Sequence, residues 1–112
     1  MTEILPGLFL GDHIVANDLS FLQLHRISCI VNCTGTVPFC PDFKGLRTRI
    51  PLQDNGQESE ILRTYSLLDQ LTKALYNLLL KHRVLVHCLA GRQRSVTVIA
   101  AFLMRYANIS LQ

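Results

Sequence analysis

Residues 84–95 read Val84-Leu85-Val86-His87-Cys88-Leu89-Ala90-Gly91-Arg92-Gln93-Arg94-Ser95. The apolar run at 84–86, the loop after it and the amphipathic stretch at 96–106 predict a strand, a turn and a helix. The turn then lies at a helix N-terminus, where unpaired backbone N–H groups and the helix dipole attract anions. Cys88 opens the turn, and the same field favours the thiolate form of a cysteine. Because Arg94 adds a planar fork of donors suited to phosphate oxygens, the pattern predicts nucleophilic attack on phosphorus.

Strand and helix patterns alternate along the rest of the chain. The predicted strands cover 8–10, 29–32, 46–50 and 84–87, and the predicted helices cover 17–24, about 59–81 and 95–106. Asn17 or Asp18 is the expected N-cap of the first helix. Loops are predicted at 34–45 and 51–57. This alternation predicts an α/β fold with a central, mostly parallel sheet flanked by helices, and a ligand at the carboxyl ends of central strands.

Composition limits the class of protein. The 112 residues are 49% hydrophobic, which predicts one domain with a single core. No stretch reaches the roughly 20 apolar residues of a membrane span, and the first residues lack the pattern of a secretory signal. No aromatic and basic residues interleave as in a nucleic-acid platform, so no structural nucleic-acid partner is expected. The four cysteines form no Cys-x-x-Cys pair, so we expect neither a metal nor a cofactor. A reactive thiolate suits a reducing compartment, which predicts an intracellular protein, cytoplasmic or nuclear.

The stretch from 87 to 95 matches the His-Cys-x-x-Gly-x-x-Arg-Ser/Thr loop of the protein tyrosine phosphatase superfamily. Four further segments resemble that family in the correct order: 4–12, 27–34, 50–54 and 101–104. Together they resemble a small atypical dual-specificity phosphatase of the vaccinia type. The resemblance implies a phosphotyrosine phosphatase-like domain over residues 1–112 and a phosphorylated protein as substrate.

The resemblance also implies a role for each residue of the site. Cys88 would be the nucleophile, Arg94 would hold the phosphoryl group, and Asp54 would be the general acid. Ser95 would ease departure of the Cys88 sulfur, and His87 would support the loop and the thiolate. The substrate-binding residues would be Leu89, Ala90, Gly91, Arg92, Gln93 and Arg94. Two of these residues have a simpler alternative: Cys88 as a buried apolar side chain and Asp54 as a turn residue. Ser95 could also be a helix N-cap, which is compatible with its implied role.

Substrate choice stays open at the level of sequence. Arg92-Gln93 departs from the small or apolar residue followed by Ser that is common in dual-specificity enzymes. A second basic residue resembles the phosphoinositide-phosphatase branch, and also suits an RNA 5′-triphosphate end; alternatively, Arg92 faces solvent. Because the segment 34–45 is short, we expect a shallow site open to phosphoserine, phosphothreonine and phosphotyrosine. A catalytically weak phosphate-binding pseudophosphatase is the alternative of a different class.

Three further expectations concern the rest of the chain. In the resembling family, helical segments follow the region of residues 108–111, so we expect an incomplete domain and a possible homodimer through uncovered apolar surface. Cys33 is expected to lie beside the catalytic strand, either as a buried side chain or as a partner that protects an oxidised Cys88. Arg47 and Arg49 are expected on a solvated strand face, with attraction of an acidic substrate as the alternative.

Overall fold

The computed structural model describes residues 1–50, 58–88 and 94–106, with the side chains of 58–67 and 94 left outside the description. Its strands are β1 (Thr2–Leu5), β2 (Leu8–Asp12), β3 (Cys29–Asn32), β4 (Leu46–Arg49) and β5 (Val84–Cys88). Its helices are α1 (His13–Ala16), α2 (Leu19–Leu24), α3 (Glu58–Leu79) and α4 (Arg94–Tyr106).

One five-stranded sheet organises these elements, in the order β1-β2-β5-β3-β4. The pairs β2·β5, β5·β3 and β3·β4 are parallel, and only β1 runs antiparallel to its neighbour within this sheet. The predicted α/β fold with a mostly parallel sheet is therefore confirmed. Strand β5 has a parallel strand on each side, which places its last residue, Cys88, at the middle of the sheet edge.

The alternation of side chains on β3 and β5 divides the core between the two faces of the sheet. On one face, Val84, Val86 and Cys88 pack with residues of α3 and α4, including Leu71, Leu75, Val98 and Phe102. On the other face, Leu85 packs with residues of β2, β3, α2 and the 34–45 loop, including Phe9, Ile30, Leu22 and Phe43. The result is a sheet covered by helices on both faces, and all five residues of β5 are buried.

Two local features differ from the prediction. The helix expected over 17–24 is α2, with Asp18 as its N-cap, whereas α1 before it is not predicted and has Asn17 as its C-cap. Asp12 and Asp18 each accept a hydrogen bond from a backbone N–H in the first turn that follows, at 3.0 and 3.2 Å, so each starts its own helix. The segment 4–12 is likewise divided, because Gly7, with φ of +84°, turns the chain between β1 and β2.

Candidate active site

The parallel strands of the sheet end together at one edge. Gly11, Asn32 and His87 lie in register on β2, β3 and β5, and Asn32 pairs in turn with Arg49 on β4. Cys88 lies one residue further along, opposite Asp12. The carboxyl edge of a parallel sheet is where ligands bind in open α/β folds, so the sequence-predicted nucleophile stands where such a site is expected.

Cys88 and Ser95 meet at this edge. Cys88 is the last residue of β5, and its side chain belongs to the core face covered by α3 and α4. Ser95 is the second residue of α4, and its Oγ lies 3.1 Å from Cys88 Sγ. Both residues are buried, with 4% and 2% of their surface exposed. A hydroxyl at this distance can donate a hydrogen bond to a thiolate, so the pair has the geometry for stabilising charge on sulfur.

The remaining residues assigned to the phosphate loop fall outside the described residues. These are Leu89, Ala90, Gly91, Arg92 and Gln93, together with the expected acid Asp54. Arg94 opens α4, and its side chain is likewise not described. Helix α4 starts directly after residue 93, which agrees with the predicted strand followed by a helix. The roles of residues 89–94 and of Asp54 stay predictions.

His87 stands on the opposite side of β5 from Cys88, because adjacent strand residues point to opposite faces. It is 1% exposed, and its Nδ1 makes no hydrogen bond with any atom in the described part of the chain. Burial lowers the pKa of His87 below its ordinary value, and a backbone interaction with Cys88 opposes that shift. The imidazole is therefore kept neutral, which fits a supporting residue better than a cation beside the sulfur.

The other cysteines have different surroundings. Cys29 is fully buried, and burial raises the pKa of its thiol to about 11, so it is a poor nucleophile. Cys33 follows β3 directly, and its N–H donates to the His87 carbonyl oxygen at 2.9 Å. Cys33 and Cys88 also belong to the same buried cluster. The expected position of Cys33 beside the catalytic strand is thus observed, and protection of Cys88 by Cys33 stays a hypothesis.

A polar network fixes the chain that leaves β3 at this edge. Asn32 Oδ1 accepts hydrogen bonds from Thr34 N and Thr34 Oγ1, and Asn32 Nδ2 donates to the Val37 carbonyl oxygen at 2.8 Å. Thr34 Oγ1 in turn accepts from Val37 N. Sequence reasoning assigned no role to these residues. The available signal was Asn32 itself, an amide ending an otherwise apolar buried strand, because buried polar groups need partners.

Arg47 and Arg49 are not simply solvated. Although both residues are exposed, their guanidinium groups donate to backbone carbonyl oxygens of the 34–45 loop. The prediction of a basic strand face in solvent is right about exposure and incomplete about contacts. Alternation along a strand predicts which face a side chain takes, but it does not predict a hydrogen bond to a distant carbonyl.

Comparison with known proteins agrees with this geometry. A model of the dual specificity phosphatase catalytic domain matches residues 8–112. The chain belongs to this family. Mouse dual specificity protein phosphatase 14 is 33% identical over 114 residues, which cover 99% of this chain and 54% of that relative. The chain therefore spans about half the length of that curated dual specificity phosphatase.

Solved dual specificity phosphatase structures share the fold. The crystal structure of DUSP15 superposes with a TM-score of 0.76 and 28% identity, covering 97% of this chain and 67% of that one. The Orf virus OH1 protein, described as a tyrosine phosphatase with triple substrate specificity, gives a TM-score of 0.75 and 25% identity. That match covers 96% of this chain and 60% of the viral one. The small atypical type inferred from the sequence is thereby supported.

The described residues contain neither a metal-binding cluster nor a membrane-spanning helix. Within residues 1–50, 58–88 and 94–106, no cluster of three or more His, Cys, Asp or Glu side chains is placed to bind a metal ion. In the same residues, no helix combines the length and apolar character that crossing a membrane requires.

Proposed function

We propose that this dual specificity phosphatase domain hydrolyses phosphotyrosine and phosphoserine or phosphothreonine monoesters of proteins through a cysteinyl-phosphate intermediate. The observation that carries the proposal is the 3.1 Å contact between Cys88 Sγ and Ser95 Oγ, buried where a central parallel strand meets a helix N-terminus. Family membership supports the reaction class, and the breadth of substrate named for the Orf virus relative supports more than one phosphoresidue.

The first half-reaction transfers the phosphoryl group to sulfur. The Cys88 thiolate forms a bond to phosphorus while the bond from phosphorus to the substrate oxygen breaks. Backbone N–H groups of residues 89–95 and the fork of Arg94 hold the equatorial oxygens. The leaving alkoxide or phenoxide takes its proton from Asp54.

The second half-reaction regenerates the enzyme. The ionised Asp54 accepts a proton from water, the water oxygen bonds to phosphorus, and the bond from phosphorus to Cys88 Sγ breaks. Charge returns to the sulfur, where Ser95 can donate a hydrogen bond. His87, buried and neutral, supports the loop from the opposite face.

A Cys88→Ser substitution tests the proposal. The variant keeps the anion-binding loop and loses the nucleophile, so release of phosphate from p-nitrophenyl phosphate and from a phosphotyrosyl peptide should stop while tungstate still binds. Loss of both turnover and tungstate binding would indicate that the substitution disrupts the loop. Ser95→Ala, which retains the thiol and removes the hydroxyl beside it, is then the second variant to assay for turnover. Substantial turnover by a folded Cys88→Ser variant would place the nucleophile elsewhere.

The same assay separates the substrate classes. A phosphotyrosyl peptide, a phosphothreonyl peptide, a phosphoinositide and a 5′-triphosphorylated RNA are compared at equal concentration. Hydrolysis of both peptides, with kcat/KM above that of either polyanion, supports the proposal. A higher kcat/KM for the phosphoinositide or the RNA would identify that polyanion, rather than a phosphoprotein, as the substrate. Binding of all four compounds without turnover would indicate a pseudophosphatase.

A further inference from the structure

Two arginines on β4 hold the two halves of one loop. Arg49 Nη1 donates to the Thr34 carbonyl oxygen at 2.9 Å, and Nη2 donates to the Val37 carbonyl oxygen at 2.8 Å. The Arg49 guanidinium carbon also lies 5.0 Å from the centroid of the Phe39 ring. One side chain therefore fixes both ends of the segment Thr34–Val37 and covers the aromatic ring that follows it. We call residues 34–39 the edge loop.

Arg47 makes the corresponding contacts at the other half. Its Nη2 donates to the carbonyl oxygens of Cys40 at 3.4 Å, Pro41 at 3.3 Å and Phe43. The side chains of Cys40 and Phe43 are buried in the core on the α2 face of the sheet. Arg47 thus holds a part of the loop that is already anchored by apolar packing.

The register of the sheet places the two arginines differently with respect to Cys88. Arg49 pairs with Asn32, which pairs with His87, the residue before Cys88. Arg47 pairs with Ile30, which pairs with Leu85, two residues further from the edge. Arg49 also acts electrostatically on His87. Arg49 is therefore in the row of residues that borders the site.

Arg49 connects the loop that leaves β3, the strand beside β5, with β4, the next strand on the same side. Thr34 follows Cys33, whose N–H bonds to the His87 carbonyl oxygen beside Cys88. Arg49 is followed by Ile50, whose N–H donates to the Asn32 carbonyl oxygen at 2.8 Å. The chain continues from Ile50 toward Asp54. One guanidinium thus links the strand that leads to the proposed acid with the loop that leaves the neighbouring strand.

We propose that Arg49 is a positioning residue that holds the edge loop as one wall of the substrate cleft, and that this wall contacts the peptide around the phosphorylated residue. This proposal rests on the proposed function, and it adds that the edge loop recognises the peptide residues beside the phosphorylated one. The two carbonyl oxygens need two donors in one plane, which a guanidinium supplies and an ammonium does not. We expect a peptide to contact the wall and a small aryl phosphate to bind without contacting it.

Enzyme kinetics with two substrates test the proposal. For Arg49→Met and Arg49→Lys, the ratio of KM for a phosphotyrosyl decapeptide to KM for p-nitrophenyl phosphate should rise about tenfold, the scale of one lost recognition contact. Arg47→Met is the matched control, because it removes a carbonyl-binding arginine from the same strand and the same loop. It should lower the melting temperature and leave the ratio unchanged. An equal rise of the ratio in Arg47→Met, or an unchanged ratio in a folded Arg49 variant, would overturn the proposal.

Binding without turnover separates this proposal from the proposed function. In the Cys88→Ser background, the Kd of the decapeptide should rise about tenfold on adding Arg49→Met, while the Kd of tungstate stays the same. Should the wild-type chain hydrolyse neither substrate, the proposed function fails and this comparison of Kd values still decides the role of Arg49. Should Arg49→Met fail to fold, Arg49→Lys keeps the charge and the long side chain and gives the same comparison.

Discussion

His87 and Cys88 end the same strand and have different surroundings. Cys88 Sγ faces Ser95 Oγ on the side covered by α3 and α4, whereas the His87 ring is enclosed on the other side of the sheet. The groups that act electrostatically on His87 are His13, Arg49 and Asp12, two of which disfavour its charged form. One residue step along a strand therefore separates a thiol beside a donor from an imidazole kept neutral.

The buried imidazole predicts a dependence of stability on pH. Because burial lowers the pKa of His87, the unfolded chain binds a proton more readily than the folded state. The neutral His87 contributes fully to the free energy of unfolding at pH values above its ordinary pKa of 6.5. That contribution is lost as the pH falls from 6.5 toward the lowered pKa of the folded state. From about pH 7.5 to about pH 5.5, the melting temperature should fall more for the wild type than for His87→Gln. Parallel curves for the two proteins would show that His87 is not the titrating group.

The proposed acid can be distinguished from a turn residue. Asp54→Asn keeps the turn-forming side chain and removes the proton donor. The kcat for a phosphoseryl or phosphotyrosyl peptide should fall by about 10²–10⁴-fold, and the kcat for p-nitrophenyl phosphate should fall less, because its leaving group needs a proton less. The measurement is kcat for the wild type and for Asp54→Asn, determined by steady-state kinetics with each substrate separately. Equal, unchanged rates would assign Asp54 to the turn and indicate a different proton donor.

At the scale of elements, the sequence predicts best where burial is continuous. The apolar run Cys29–Asn32 gives β3 with the observed bounds, and the run before Cys88 gives β5 within one residue. Helix α1 is missed because its four residues, 13–16, are too few to show a helical period, although Asp12 caps it. The contacts of Arg49 are missed because they join residues 12 and 15 positions apart along the chain.

The end of α2 is strained at one residue. Arg26 follows the C-cap His25 and has φ of +56°, while Ile27 N–H bonds to the Leu22 carbonyl oxygen as in a glycine-ended helix. Arg26→Gly should raise the free energy of unfolding by about 0.5–1 kcal/mol after the greater chain entropy of glycine is subtracted. Denaturant unfolding measures the gain. Arg26→Ala is the control, since it removes the side chain and retains the strain; equal stability of the two variants would refute the explanation.

At the scale of the whole molecule, strand order creates the site. The order β1-β2-β5-β3-β4 brings residues 12, 32, 49 and 88 to one edge although they are far apart in sequence. Periodicity predicts the strands and the parallel sheet, but not this order, and the family resemblance predicts only that β3 lies beside β5. Exposed apolar side chains include Tyr76 on α3, Leu80 directly after α3 and Met104 on α4. The possible homodimer stays a prediction.

The proposed reaction depends on a covalent phosphoryl intermediate on Cys88, which rapid-quench labelling detects directly. The chain is mixed with a ³²P-labelled phosphotyrosyl peptide, quenched in acid within milliseconds and digested. A burst of label is expected on the peptide that contains Cys88, as S-phosphocysteine, with no label in Cys88→Ser. Steady release of phosphate with no label on Cys88, or with label on another residue, would contradict the proposed reaction.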